Sequence, residues 1–458
     1  MAGKSSSNIS PLMQKLSGYI AGALRKPLPA AVAEKTKHHL LDTIAAMVSG
    51  SRLLPGQQAI SYTRTLGGNK EATVLGSRVL TSAANAALAN GMLAHADETD
   101  DSHAPSLTHP GCGIVPAALA MAEREARNGT ALLRAVALGY DVGTRLTMAL
   151  HAYEFKEDGH SSHSFGPMFG AAAAASAMCG LNQRQVRHAL SFTAQQAAGI
   201  SCWARDADHI EKAFDFGGMP ARNGTAAAAM VAHGFTGVDD VFSGERNFFI
   251  AFGNKPNPGE LIRELGKTYE IMNTNIKRWS VGSPIQAPLD SLIELIRAHG
   301  IKGKDVDSVE VIMSHHSANT VNNREMPDIC LQHMCAIMLL DGNATFKSSH
   351  DVKRMKDPKV LALRKRIKLV GNDEFQKIKE KRQAVVEIRM RDGRKLRHHT
   401  KAVRGTRDNP MTRADVDAKS YDLLAPVLGK ARARKLCDTI WAIEKLSDAR
   451  KLRPLLQA

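Results

Sequence analysis

Residues 91–116 read GMLAHADETDDSHAPSLTHPGCGIVP. Three histidines, three aspartates and a glutamate are packed into this stretch. Alanine-rich apolar text lies on both sides, TSAANAALANGMLAHA (81–96) before it and IVPAALAMAEREARNG (114–129) after it. Both flanks carry apolar residues at helical spacing. Ionisable groups held among buried helices must be paired or hydrogen-bonded, because leaving them alone out of water is costly. The stretch therefore predicts a helical fold in which helix ends bring polar side chains to a shared interior position.

The same texture extends outward. KTKHHLLDTIAAMVSG (35–50) and ALLRAVALGYDVGTRLTMAL (131–150) are helical by periodicity, and the first ends on Gly50, a plausible C-cap. FGAAAAASAMCGLN (169–182) and GTAAAAMVAHGFTG (224–237) are the most alanine-rich segments. Small side chains let helix backbones approach closely. Polar islands precede each of these two: GHSSHSFGP (159–167) and HIEKAFDFGGMPARNG (209–224). NIKRWSVGSP (275–284) is another. Free N–H groups and the positive dipole end make helix N-termini suitable for carboxylates or phosphates.

Near residue 270 the pattern changes. VDSVEVIMSHH (306–316) and QAVVEIRMRDGRKLRHHT (383–400) alternate like strands, the second with an Asp-Gly hairpin signal. Helical text lies between them, in APLDSLIELIRAHG (287–300) and ICLQHMCAIMLLDG (329–342). The tail (413–448) is helical again. The expected architecture is a large all-helical domain with a smaller α+β domain inserted as a lid. The expected boundaries are 1–269 for the first helical part, 270–405 for the lid, and 406–458 for the helices returning to the helical domain.

Composition narrows the partners. With 458 residues, 43% hydrophobic and 5% aromatic, the chain reads as a soluble protein of close-packed helices. The net charge of +16 admits nucleic acid, an anionic membrane or an anionic small molecule. Roughly half of the Lys and Arg fall after about residue 343, interleaved with acidic and aliphatic residues, as on solvated faces. No RNA-binding, zinc-finger or basic-zipper signature accompanies them, and no apolar run is long enough to span a bilayer. A small anionic molecule is the expected partner, with neither nucleic acid nor membrane. The six cysteines have no C-x-x-C spacing, which fits a reducing compartment. The start, MAGKSSSNISPLMQKLSGYI, lacks a signal-peptide h-region, so the expected location is the cytoplasm.

No dinucleotide fingerprint, P-loop or nucleophile elbow is found, and no H-x-x-x-H or H-E-x-x-H pattern sets two metal ligands on one helix face. The expectation is no cofactor and no metal. Taken alone, each polar residue also has a structural reading. A histidine beside a helix is commonly a hydrogen-bonded core residue, and Asp-Asp-Ser is also a capping or turn sequence.

Five blocks in order resemble the MmgE/PrpD family. NGMLAHADETDDSHAPSLTHPG is similar to its signature, an acidic run followed by His-Pro. GHSSHSFGPMFGAAAAASAMCGLN and EKAFDFGGMPARNGTAAAAMVAHGFTG resemble its second and third blocks. NIKRWSVGSPIQAPLDSL resembles the lid entry, and NPMTRADVDAKSYDLLAP (409–426) the C-terminal return. The resemblance implies a helical domain with an α+β lid, a homodimer, and cofactor-independent chemistry beside a carboxylate. Family members include 2-methylcitrate dehydratase, cis-aconitate decarboxylase and iminodisuccinate epimerase. It also implies catalytic roles for His109, His160 and Lys212. Glu98, Asp100, Asp101, Ser102, Lys277 and His333 are placed at the substrate, with His103 as a further contact or a structural residue. Glu98 stands where Asp is commoner, Ser102 where Thr is usual, and His333 in place of a lid Tyr. Trp279, with Val281 or Gly282, replaces a usual Tyr and Cys. The expected activity is a lyase of the dehydratase (hydro-lyase) type acting on a small di- or tricarboxylic acid. Epimerase and decarboxylase remain as alternatives, as does a helical binding protein that has lost catalysis.

Overall fold

The computed structural model describes residues 9–378 and 382–458. Residues 1–8, part of the start read above for a signal peptide, lie outside the described residues. The chain divides into two compact units, residues 1–274 with 416–458, and residues 275–415. The first is helical and the second contains a four-stranded sheet.

In the first unit, the helices that position the site are α1 (Ala30–Gly50), α2 (Ala83–Ala94), α3 (Pro110–Arg124), α4 (Gly129–Ala149), α5 (Ser162–Met178) and α6 (Met219–Ala232). The alanine-rich text packs as expected. Every residue of α5 except His163 is buried, and α2 is buried from Ala86 to its end. Close approach is built on glycine. A Cβ on Gly143 of α4 would lie 2.7 Å from the Gly166 carbonyl oxygen of α5, and one on Gly170 would lie 2.5 Å from that of Gly139. Real Cβ atoms do not come that near, so this crossing is backbone on backbone.

A second contact of this kind fixes the third polar block. A short helical turn (Ile210–Ala213) runs through a π-helical segment (Phe214–Gly218) into α6. A Cβ on Gly217 would lie 2.1 Å from the Gly91 carbonyl oxygen of α2. The extra residue of the π turn re-aims the side chains that follow it, a device common at functional sites.

The second unit has strand order β2-β1-β3-β4, with β1 Val306–Ser314, β2 Ile367–Asn372, β3 Ala384–Met390 and β4 Lys395–Thr400. β1 pairs parallel with β2, Val309 opposite Ile367, and antiparallel with β3, Val309 opposite Ile388. β3 and β4 form the expected hairpin, with Gly393 at φ 89° in its turn. Helices α7 (Gln286–His299) and α8 (Leu331–Asp341) complete a core that includes Leu289, Leu292, Val309, Val311, Ile337 and Val386. β2 was not expected, because its sequence IKLVGN follows the basic run read as a solvated face. The chain then enters α9 (Arg413–Leu428), which joins the first unit from Val416 onward. Among the described residues no helix is long and apolar enough to cross a membrane.

Candidate active site

The opening stretch folds into a buried turn between α2 and α3. His95 caps α2, and His109 precedes Pro110 at the first position of α3, where a missing N–H does no harm. Asp97 ties the turn internally by accepting from the backbone N–H and hydroxyl of Thr99. His103 and Thr108 exchange backbone hydrogen bonds.

Asp100 and Asp101 are both fully buried and serve different purposes. Asp100 lies between two imidazoles. Its Oδ2 is 2.9 Å from His95 Nδ1 and its Oδ1 is 3.0 Å from His109 Nδ1. Burial pushes its carboxyl up, but the two histidines hold it well below the usual carboxylate range. An ionised carboxylate only accepts, so both rings donate Nδ1–H and each presents Nε2 as its free lone pair. His95 is buried, while His109 keeps 12% of its side chain exposed and so offers its Nε2 to a ligand.

Asp101 faces the scaffold. It accepts from the Gly111 N–H at 3.0 Å, near the start of α3, from the Tyr140 hydroxyl at 2.5 Å, and from His39 Nδ1 at 2.7 Å. Behind it, buried Asp42 forms an ion pair with Lys419 of α9, which also donates to the Thr99 carbonyl at 2.9 Å. Burial raises the Asp42 carboxyl to about 6, against the pull of Lys419. The chain's C-terminal return thus holds the loop between Glu98 and Asp100 in place. None of His39, Asp42, Tyr140 or Lys419 was singled out from sequence, because they lie far apart along it. The string HHLLDT in 38–43, polar on a predicted buried helix, was the available signal.

His39 gives a direct test of this support. Burial first, and then Lys35, push its pKa down to about 4, against the pull of Asp101. In the unfolded chain it titrates near 6.5. Between these values the unfolded chain binds the extra proton, so the contribution to stability is full above pH 6.5 and is lost as pH falls towards 4. His39→Asn is expected to remove about one proton, roughly 1.4 kcal/mol per pH unit, from the slope of stability against pH in that window. Urea unfolding of both proteins at pH 5 and pH 6 measures it. An unchanged slope would mean that His39 is already charged in the fold.

On the other side of Asp100 lies an aromatic and cationic cluster. Glu98, 6% exposed, pairs with the Lys212 ammonium. The ammonium sits 5.3 Å from the Phe216 ring centre and 5.6 Å from that of Trp203. Phe216, carried by the π segment, stacks on His95 at 4.3 Å and on His163 at 3.8 Å. The His163 ring is 5.3 Å from that of His109. Burial, then the neighbouring His109 and His95, push the His163 pKa well down. His209, at φ 60° just before the short helical turn, places its ring 5.1 Å from that of His95. Burial and Lys212 depress its pKa too.

Of the residues expected from sequence, Glu98, Asp100, His109 and Lys212 come together here, with Asp101 directly behind. Ser102 is half-buried at the edge of the turn. His103 turns away: its Nδ1 lies 2.7 Å from the Ser106 hydroxyl and its Nε2 3.4 Å from Glu270. Burial works against the Glu270 carboxyl, but His103 and Asn273 hold it down to about 2. That is its structural reading. His160 stacks on Phe155 at 4.5 Å and meets Phe165 and Phe252 edge-on, so the second block supplies His163 beside His109. The reason is local. Helix α5 starts at Ser162, so His163 lies in its first turn, while His160 lies outside it and bridges to Ile200. Lys277 and His333 belong to the second unit. Lys277 is buried, and burial with nearby Arg364 and Arg354 lowers the His333 pKa to about 4.

Among the described residues, two groups of side chains have donor atoms close enough together to hold a cation: His95 with Asp100 and His109, and His95 with Glu98 and His209. In the first, both Asp100 oxygens are already engaged by ring N–H groups.

Comparison with known proteins agrees over nearly the whole chain. The MmgE/PrpD N-terminal domain matches residues 14–261, and the MmgE/PrpD C-terminal domain matches residues 279–444. The chain is 23% identical over 477 residues to the "Cis-aconitate decarboxylase-like protein oryM" of Aspergillus oryzae (strain ATCC 42149 / RIB 40), covering 96% of each chain. It is 21% identical over 459 residues to the "Cis-aconitate decarboxylase" of Aspergillus terreus (strain NIH 2624 / FGSC A1156), covering 94% of this chain and 92% of that one.

Proposed function

The chain belongs to the MmgE/PrpD family, and from that premise we propose that it is a cofactor-independent lyase acting next to a carboxylate of a small di- or tricarboxylic acid. The proposed reaction is dehydration or its reverse. The observation that carries it is the Asp100 carboxylate held between two imidazoles, with the slightly exposed His109 facing His163 and the Lys212 ammonium close by.

Elimination of water needs an acceptor for the Cα proton and a donor for the departing hydroxyl. His109 is proposed as the acceptor, since Asp100 stabilises the imidazolium that forms. The C–H electron pair becomes the new double bond, the C–O bond breaks, and the oxygen leaves as water. His163 is proposed to relay that proton from the His109 imidazolium to the departing oxygen, in the role the resemblance implies for His160. Its environment disfavours the charged form, so a proton on it is readily given up. Lys212 is proposed to hold the substrate carboxylate and stabilise the enolate-like charge.

The names of the relatives favour a second reading, decarboxylation. It shares the enolate-like intermediate and needs only protonated His109 to quench the carbon after CO₂ leaves. The proposed working form is a homodimer, for which the family resemblance is the support, and the proposed location is the cytoplasm, for which the support is the cysteine spacing and the lack of a signal-peptide pattern.

Proton NMR in D₂O with a panel of acids tests the reading: citrate, 2-methylcitrate, cis-aconitate, malate, tartrate and aspartate derivatives. Deuterium is expected at a carbon next to a carboxylate, and is expected to be lost in His109→Ala and Lys212→Ala. The products separate water loss from CO₂ loss and from epimerisation. No exchange and no turnover across the panel would refute the proposal and favour a binding protein.

A further inference from the structure

We propose that His95, Glu98 and His209 form a binding site for one divalent transition-metal ion of the zinc class, taken up in competition with the Glu98–Lys212 ion pair. The donor atoms of these three side chains all lie within 4.8 Å of one another, and all three residues are buried. His95 Nε2 and His209 Nε2 are buried and have no hydrogen-bond partner. Since His95 gives its Nδ1–H to Asp100, its Nε2 is a lone pair. Two imidazoles and a carboxylate are a donor set suited to zinc. A ligating histidine typically donates its other ring N–H to a carboxylate, which fixes the tautomer and strengthens the donor, and Asp100 does this for His95.

The counter-charge at this position is at present the Lys212 ammonium on Glu98. Donor atoms around a tetrahedral zinc at about 2.0–2.2 Å lie roughly 3.3 Å apart. On binding, the three side chains close in on the ion and Glu98 turns from Lys212 towards it. Metal and ammonium compete for one carboxylate. Since Lys212 is the proposed carboxylate-binding cation of the lyase, an occupied site would inhibit turnover, and that consequence alone rests on the lyase reading.

Titration of the EDTA-treated protein with Co²⁺, followed by its visible absorption, and with Zn²⁺ by calorimetry, tests the site without an activity assay. One equivalent is expected in the wild type. His209→Gln is expected to weaken binding at least about tenfold, and Lys212→Met to tighten it at least about tenfold by removing the competitor. Circular dichroism and thermal unfolding check that both variants fold, and Glu98→Gln replaces His209→Gln if that variant does not. Unchanged Co²⁺ spectra and affinity in the ligand variant, or no tightening in Lys212→Met, would overturn the site. If both variants shift as expected while no acid is turned over by the wild type, the metal site stands and the lyase reading falls.

Discussion

Asp100→Asn lowers turnover of the acid found in the exchange panel by about 10³- to 10⁴-fold while the protein stays folded. The amide is the same size as the carboxylate, so the packing between α2 and α3 need not change. Its hydrogen bonding does. Asp100 accepts one ring N–H on each oxygen, from His95 and from His109. Asparagine offers one oxygen and one N–H₂ group, so one ring must turn its lone pair inward and present N–H where Nε2 was free. If that ring is His109, the base is in the wrong tautomer. Losing the carboxylate also removes the charge that stabilises the imidazolium. Replacing a buried aspartate behind a catalytic histidine costs about 10⁴-fold in serine proteases for the same reasons. Nitrogen-15 NMR of the imidazoles reads the tautomer, and steady-state kinetics reads the loss. Turnover within tenfold of wild type would mean that Asp100 only braces the loop.

Lys212→Met lowers kcat/KM by about 10²- to 10³-fold, the range found when one donor to a developing oxyanion is removed. Methionine keeps the length and the apolar stem against Phe216 and Trp203, so a loss reports the charge. Part of the effect could come from Glu98, which loses its partner in that variant. The double variant Glu98→Gln/Lys212→Met separates the two. Activity recovered in the double variant would assign the damage to the stranded carboxylate, and activity still lost assigns it to the missing ammonium. Lys212→Arg is expected to rescue binding more than turnover, because a guanidinium keeps the charge but alters its position.

The helical character of the first unit was legible because α2, α3 and α5 announce themselves by alanine and periodicity. The β3–β4 hairpin was legible through Asp392-Gly393. The grouping of Glu98, Asp100 and His109 could be anticipated because they sit in one short turn between two such helices. What could not be read depended on facing directions and long-range partners. GHSSHSFGP offers His160 and His163, and only the start of α5 at Ser162 separates the ring that faces His109 from the one that packs on Phe155. His209 and Phe216 owe their positions to a left-handed residue and a π turn, neither of which leaves a mark in apolar periodicity. Lys419 reaches Asp42 and Thr99 across most of the chain length, and nothing local to any of the three predicts the other two.

The Asp100 bracket also sets a limit on proton traffic. One negative charge serves both His95 and His109, and these rings lie 5.0 Å apart. A first imidazolium is matched by that carboxylate, whereas a second would face its twin with nothing left to balance it. The assembly is therefore a one-proton reservoir. Whatever proton His109 takes in one half of a catalytic cycle has to be returned to product or solvent before the next begins.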